Sequence, residues 1–172
     1  MSDEPLDPFR ALLSAGSRAH YVDAAYYDQT YRLRRCDKDY YAAEAASAGG
    51  SVLELGCGSG RVTLPIARAL DEAGGDGQVI GIDAMPSMLE RGTAKLTRER
   101  RSVRGRVHFQ RGDFTLRGEG AIELGRRFER VFMPFNTLMH CYDHEAQRAL
   151  FDVVRRHLAP ADEFLAFFLH DA

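Results

Sequence analysis

The residues best placed to do chemistry lie in the stretch Val52 to Ala67, VLELGCGSGRVTLPIA. A buried-strand pattern over residues 52–55 runs into three glycines, Gly56, Gly58 and Gly60, and then into an amphipathic helix start at Arg61. Glycine has no Cβ, so the backbone can bend sharply there and let a ligand reach N–H groups at a helix N-terminus. The chemistry expected of such a turn is that of a bound cofactor. A dinucleotide-binding turn has the spacing G-x-G-x-x-G, its third glycine allowing close helix packing. Here that third position is Arg61, and the actual spacing is G-x-G-x-G. Glu54, two residues before the first glycine, would repel a diphosphate but suits a ligand carrying an ammonium or sulfonium.

The run Glu54-Leu55-Gly56-Cys57-Gly58-Ser59-Gly60 resembles the E/D-x-G-x-G-x-G motif of the class I S-adenosylmethionine (SAM)-dependent methyltransferases. Three acidic residues then follow in order. A β-branched strand over residues 79–82 ends in Asp83, whose carboxylate can accept both hydroxyls of a ribose. NAD enzymes use the same device, so Asp83 marks an adenosine site without choosing between the two classes. A third strand over residues 107–111 leads to Gly112-Asp113-Phe114. The resemblance implies that Asp113 accepts from the adenine amino group and that Phe114 lies against the ring. It also implies that Met88, just inside a helix opened by Pro86, touches the adenine. Cys57, Ala84 and Phe135 complete the expected cofactor contacts. Core packing for Met88 and simple turn capping for Asp113 are the competing readings.

A fourth strand over residues 128–135 ends in PFNTLMHCYD. There is no N-P-P-Y/F/W run, and Cys141 comes too late to be a nucleophile at the strand end. The pattern Phe135-Asn136-x-x-x-His140 resembles small-molecule N-methyltransferases of the glycine and amino-sugar type. That resemblance implies that Asn136 offers its amide or carbonyl to the acceptor. His140 would orient a neighbour or accept a proton, although a lone histidine after a strand is more often structural.

The elements that must position these groups begin with residues 1–49, expected to form a helical cap. Phe9, Leu12 and Leu13 give an apolar face after Pro5 and Pro8. Six of the seven tyrosines follow: Tyr21, Tyr26, Tyr27, Tyr31, Tyr40 and Tyr41. Most read as packing residues, yet a tyrosine face can also lie against a sulfonium. Tyr27-Asp28, Lys38-Asp39-Tyr40 and Ala43-Glu44-Ala45 resemble the cap of amino-sugar N-methyltransferases, which makes Tyr27 the expected cofactor and acceptor contact. Tyr26 and Tyr31 are its alternatives. Pro65 places a helix start near Gly60, and Gly74-Gly75-Asp76-Gly77 stops that helix. An amphipathic helix over residues 144–159, ended by Pro160, precedes a fifth strand over residues 163–169.

Strand–helix alternation predicts an α/β fold: a doubly wound, mainly parallel, Rossmann-like sheet over residues 50–172, with the helical cap before it. The resemblance implies two further strands after the fifth, so the chain is expected to be a fragment, C-terminally incomplete. Otherwise another copy or partner must cover the edge left by EFLAFFL. At 172 residues, 45% apolar and 28% charged, with a formal charge of −2, the chain is an ordinary globular unit. Nothing in that balance points to nucleic acid. The basic run from Lys95 to Arg106 lacks interleaved aromatics and reads as a solvated face. No stretch has membrane-spanning length, the first residues do not read as a signal peptide, and three scattered cysteines support neither disulfides nor zinc. The expectation is a cytoplasmic methyltransferase using SAM, with no metal, acting on a small-molecule acceptor, most simply an amine. A non-catalytic SAM-binding module and an NAD-dependent oxidoreductase are the alternatives.

Overall fold

A computed structural model of the chain describes residues 21–166, with side chains through residue 160. The apolar positions Phe9, Leu12 and Leu13, and the last three residues of the predicted fifth strand, lie outside the described residues. Five parallel strands form one sheet: β1 (Val52–Leu55), β2 (Val79–Asp83), β3 (Val107–Arg111), β4 (Phe128–Met133) and β5 (Leu158–Ala166). Their spatial order is β3-β2-β1-β4-β5, with every neighbouring pair parallel. The order reverses at β1, so the carboxyl ends of β1, β2 and β4 open onto one crevice, as expected for a doubly wound sheet.

Strand alternation sorts the core into two halves. Leu53, Leu55, Val131 and Met133 face Leu150 and Val153 of helix α6 (His144–His157). Val52 and Phe132 face the other way, against Tyr41 of α2 (Cys36–Ala48) and Ile66 and Leu70 of α3 (Thr63–Glu72). Each fully buried aliphatic or aromatic side chain contributes about 1.5–3 kcal/mol by leaving water. By the same parity Glu54 points with Val52 into the α3 side, where its neighbours are apolar. Helix starts obey local rules: Asp23 caps α1 (Ala24–Thr30), accepting from Ala25 and Tyr26 at 2.9 and 3.0 Å. Asp143 caps α6 through the Ala146 N–H at 2.8 Å, and Pro86 begins α4 (Pro86–Leu96) at a position where its missing N–H costs nothing.

Two boundaries differ from the sequence expectation. Helix α3 begins at Thr63 and not near Gly60, because residues 58–62 are spent on the turn itself. Helix α6 stops at His157 and β5 starts at once with Leu158, so Pro160 sits inside the strand instead of ending a helix. The ladder explains it. Phe128 pairs with Leu158 but Arg130 pairs with Glu163, and Pro160 falls in the irregular stretch between them, where no ladder N–H is needed. Within the described residues, β5 forms one edge of the sheet and β3 the other.

The helices before β1 are pinned by charge. Arg61, just past the glycines, donates to both oxygens of Asp37 on α2, at 3.0 and 2.5 Å, and both side chains are buried. Burial opposes an ionised Asp37, yet the hydrogen bonds from Arg61 hold its carboxyl below the usual range. The basic run is neutralised locally: Arg100 and Arg106 reach Asp71 at 3.1 and 3.3 Å, and Glu99 pairs with Arg68. Arg61→Ala should cost about 3–5 kcal/mol in urea denaturation, because it strands a buried carboxylate. Arg68→Ala, which opens a half-exposed pair, should cost less than about 1 kcal/mol. Equal losses would show that the Arg61–Asp37 pair does not hold the cap.

Candidate active site

The three turn glycines all take left-handed backbone: Gly56 at φ 75°, Gly58 at 54° and Gly60 at 74°. Only glycine adopts this without strain. A Cβ on Gly56 would strike Thr137, and one on Gly60 would strike Phe109, whereas one on Gly58 would meet nothing within 4 Å. The turn is therefore closed at its two ends and open at its middle residue, where a ligand can approach the backbone.

Asp83 organises the crevice. Its Oδ2 accepts the Gly58 N–H at 2.8 Å and its Oδ1 accepts the Met85 N–H at 2.9 Å. The turn is further tied to β2 by the Gly56 and Cys57 N–H groups, both bonded to the Ile82 carbonyl. A carboxylate offers roughly four lone-pair sites, so backbone N–H groups do not exhaust its capacity to accept from a ligand hydroxyl. Burial pushes the Asp83 pKa up despite these bonds. Glu54 is buried completely, and its Oε2 accepts from the Thr63 hydroxyl at 2.6 Å. Burial raises its pKa to about 8, with the nearby Asp83 and Asp37 adding to the rise. Two acids thus lie beneath one turn, each with its pKa raised by desolvation.

The cap lies over this turn. Asp28 accepts from Ser59 of the turn at 2.5 Å and from Arg91 and Lys95 of α4, each at 2.9 Å. Tyr27 is buried and packs with Ala24 and Met88, with Tyr21, Tyr31 and Met85 alongside. Burial raises the Tyr27 pKa against the pull of Arg61 beside it. Aromatic contacts continue across the crevice: Tyr27 to Tyr31 at 4.8 Å, Tyr31 to Phe135 at 4.8 Å, Tyr21 to Tyr27 at 5.7 Å and Tyr21 to His140 at 5.3 Å between ring centroids. Phe135 holds φ at 62°, a strained value for a residue with a side chain, and Arg34 and Arg61 both lie 5.3 Å from its ring centroid.

Of the expected site residues, the structure gathers Tyr27, Met88, Phe135, Asn136 and His140 around the crevice with Gly56, Gly58, Gly60 and Asp83. Asn136 begins a short 3-10 turn over residues 137–140 that carries His140. Cys57 is buried beneath the turn, and Ala84 is exposed after β2. Asp113 and Phe114 stand differently. Asp113 Oδ1 accepts from both the backbone and the hydroxyl of Thr115, at 2.9 and 2.6 Å. Phe114 is buried in the core with Leu53, Leu55 and Ile82. Sequence reasoning assigned no role to Asp28, Asp37, Ser59 or Tyr142. Asp28 and Ser59 are 31 residues apart and Asp37 and Arg61 are 24 apart, whereas Tyr142 reaches His140 only two residues away. The one available signal was Arg61 standing where a glycine was due.

Comparison with known proteins agrees with this geometry. The methyltransferase-domain family matches residues 52–161, more than half of the chain, and the chain belongs to that family. Among solved structures, the glycopeptide N-methyltransferase MtfA complexed with sinefungin aligns with a TM-score of 0.62 at 28% identity, over 76% of this chain and 49% of that one. MtfA complexed with SAM aligns with a TM-score of 0.57 at 31% identity, over 68% of this chain and 46% of MtfA. The CcbJ methyltransferase from Streptomyces caelestis aligns with a TM-score of 0.60 at 27% identity, over 76% and 52%. The chain spans about half the length of these relatives. No curated protein sequence matches it.

The raised Glu54 pKa has a consequence for stability. The folded chain holds that proton more tightly than the unfolded chain, whose Glu54 titrates near 4.5. The stabilisation is present below that value and is lost as pH rises through about 8. Glu54→Gln should therefore raise the Tm at pH 8 relative to the parent, by about 2–4 °C for each kcal/mol recovered. At pH 4.5 the difference should shrink. A parent Tm that does not fall faster than the variant's across this range would contradict a neutral Glu54.

Proposed function

We propose that the protein binds SAM at the carboxyl ends of β1 and β2 and transfers its methyl group to a small-molecule amine. The observation that carries this reading is the pairing of an open left-handed Gly58 with two acids at the turn, a fully buried Glu54 and a half-buried Asp83, both with pKa values raised by desolvation. That donor set fits a positively charged ligand with a ribose and disfavours a diphosphate. The N-methyltransferase MtfA and its SAM complex support the same assignment by likeness.

When bound, SAM supplies a methyl group already activated by its sulfonium. The chain's own work is to bind, orient and exclude water. The left-handed turn leaves the space at Gly58 open for the methionine end to lie against the backbone, Asp83 holds the ribose, and Met88 takes the adenine. Asp113 has its second oxygen for the adenine amino group, while Phe114 supports that loop from the core. Tyr27 closes the donor side. Asn136 and His140 face the acceptor, whose nitrogen lone pair must be aligned with the methyl carbon for displacement. His140 has its pKa lowered by burial, so at neutral pH it is uncharged and able to accept a proton.

Calorimetric titration with SAM, S-adenosylhomocysteine and NAD tests the site. SAM should bind and NAD should not; the reverse would overturn the reading. Asp83→Ala should weaken SAM by about 1.5–3 kcal/mol, the range for lost hydrogen bonds to a charged group. Glu54→Gln should weaken SAM more than adenosine, which carries no positive charge. Labelled methyl transfer to a panel of amines and alcohols then separates an enzyme from a binding module.

A further inference from the structure

Tyr21 spans the crevice. Its backbone carbonyl accepts from Ser87, which follows β2, at 3.5 Å, while its hydroxyl reaches His140 Nε2, which follows β4, at 3.0 Å. The other ring nitrogen, His140 Nδ1, lies 3.2 Å from the Tyr142 hydroxyl. The imidazole is thus held between two phenols, one on each nitrogen. Tyr21 is half-buried among Tyr27 and Tyr31, whereas Tyr142 is 38% exposed. One end of the chain therefore faces the crevice and the other faces water.

The geometry points to a proton path, Tyr21 to His140 to Tyr142, that carries a proton from an acceptor ammonium out to solvent. It rests on the reading that the acceptor is an amine. A protonated amine cannot attack, because its lone pair is occupied. Its proton passes to the Tyr21 oxygen as the Tyr21 hydroxyl proton moves to His140 Nε2. The Nδ1 proton moves to the Tyr142 oxygen, and the original Tyr142 proton leaves to water. One proton enters, one leaves, and no electrons change hands. The path requires neutral His140 to carry its hydrogen on Nδ1, with Tyr21 donating to Nε2.

The surrounding groups are consistent with this direction of transfer. Burial raises the Tyr21 pKa, and Tyr27, Tyr31, Asp83 and Tyr142 raise it further, so the phenol keeps its proton and does not trap charge. Burial alone lowers the His140 pKa, which makes it a transient carrier and not a resting cation. Arg34 and Arg61 lie over the Phe135 ring, which meets Tyr31 edge-on beside this cluster. Tyr21 would touch the acceptor and is catalytic in that sense; Tyr142 acts through His140 and is a positioning residue.

The test uses the chain with bound S-adenosylhomocysteine and 15N-labelled histidine. NMR should find the His140 proton on Nδ1, and Tyr142→Phe should move it to Nε2, because Nδ1–H loses its acceptor. A parent proton on Nε2, or no change in the variant, overturns the path. Methyl transfer is then compared for benzylamine, protonated at neutral pH, and aniline, which arrives neutral. Tyr142→Phe should lower the benzylamine rate about tenfold more than the aniline rate at pH 7, with the gap closing as pH rises. Equal losses for both amines would mark Tyr142 as merely structural and overturn the path alone. No transfer to either amine by the parent protein would overturn the amine reading itself.

Discussion

The carboxylate of Asp83 is the point on which the crevice depends. Strand β2 delivers it, by register with β1, to a place where one oxygen takes the N–H of Gly58 and the other takes the N–H of Met85. The glycine turn and the start of α4 are thereby fixed to the same side chain. Remove it, and two half-buried N–H groups lose their acceptor together. The same atoms are asked to bind a ribose, so binding and loop geometry are coupled through one group. That coupling explains why an acid is tolerated there at all, since desolvation disfavours its charge.

Glu54 repeats the pattern one strand away. It occupies a fully buried sheet position, where the Thr63 hydroxyl and the nearby Arg61 charge offset its burial only in part. A protein selected for stability alone would place a valine there, as at Val52. The Arg61 guanidinium, hydrogen-bonded to Asp37, eases the Glu54 charge only in part. Burial thus keeps the Glu54 carboxyl protonated in the free protein, and a cation arriving beside it favours release of that proton.

The parts of this design legible in the sequence were those written in local spacing. The glycine pattern, the acid at the end of the second strand and the 3.6-residue period of α6 each sit within one element, and the first four strands begin where the apolar runs place them, while the fifth begins five residues earlier. Side-chain wiring across the fold was not legible. Arg61 and Asp37 are 24 residues apart, Asp28 and Ser59 are 31 apart, and Tyr21 and His140 are 119 apart, so no window reveals them. Pro160 misled for a different reason. Proline's missing N–H suggests a helix stop, but a register irregularity in β5 frees that position from the hydrogen-bond ladder.

The cap and the sheet meet through pairs that differ in kind, and the difference matters for how the crevice works. Asp37–Arg61 is buried, bidentate and costly to break, which fixes α2 on the turn. The contacts of α1 are softer: Asp28 shares its oxygens among Ser59, Arg91 and Lys95, whose α4 side chains are partly exposed. Just before α1, the Tyr21 hydroxyl reaches His140 Nε2 and its carbonyl accepts a long hydrogen bond from Ser87, so this segment crosses from β2 to β4. Breaking the buried Asp37–Arg61 pair strands a desolvated charge, whereas breaking the partly exposed Asp28 pairs returns their ions to water. The first pair therefore anchors α2 to the glycine turn more firmly than the second set anchors α1 to α4.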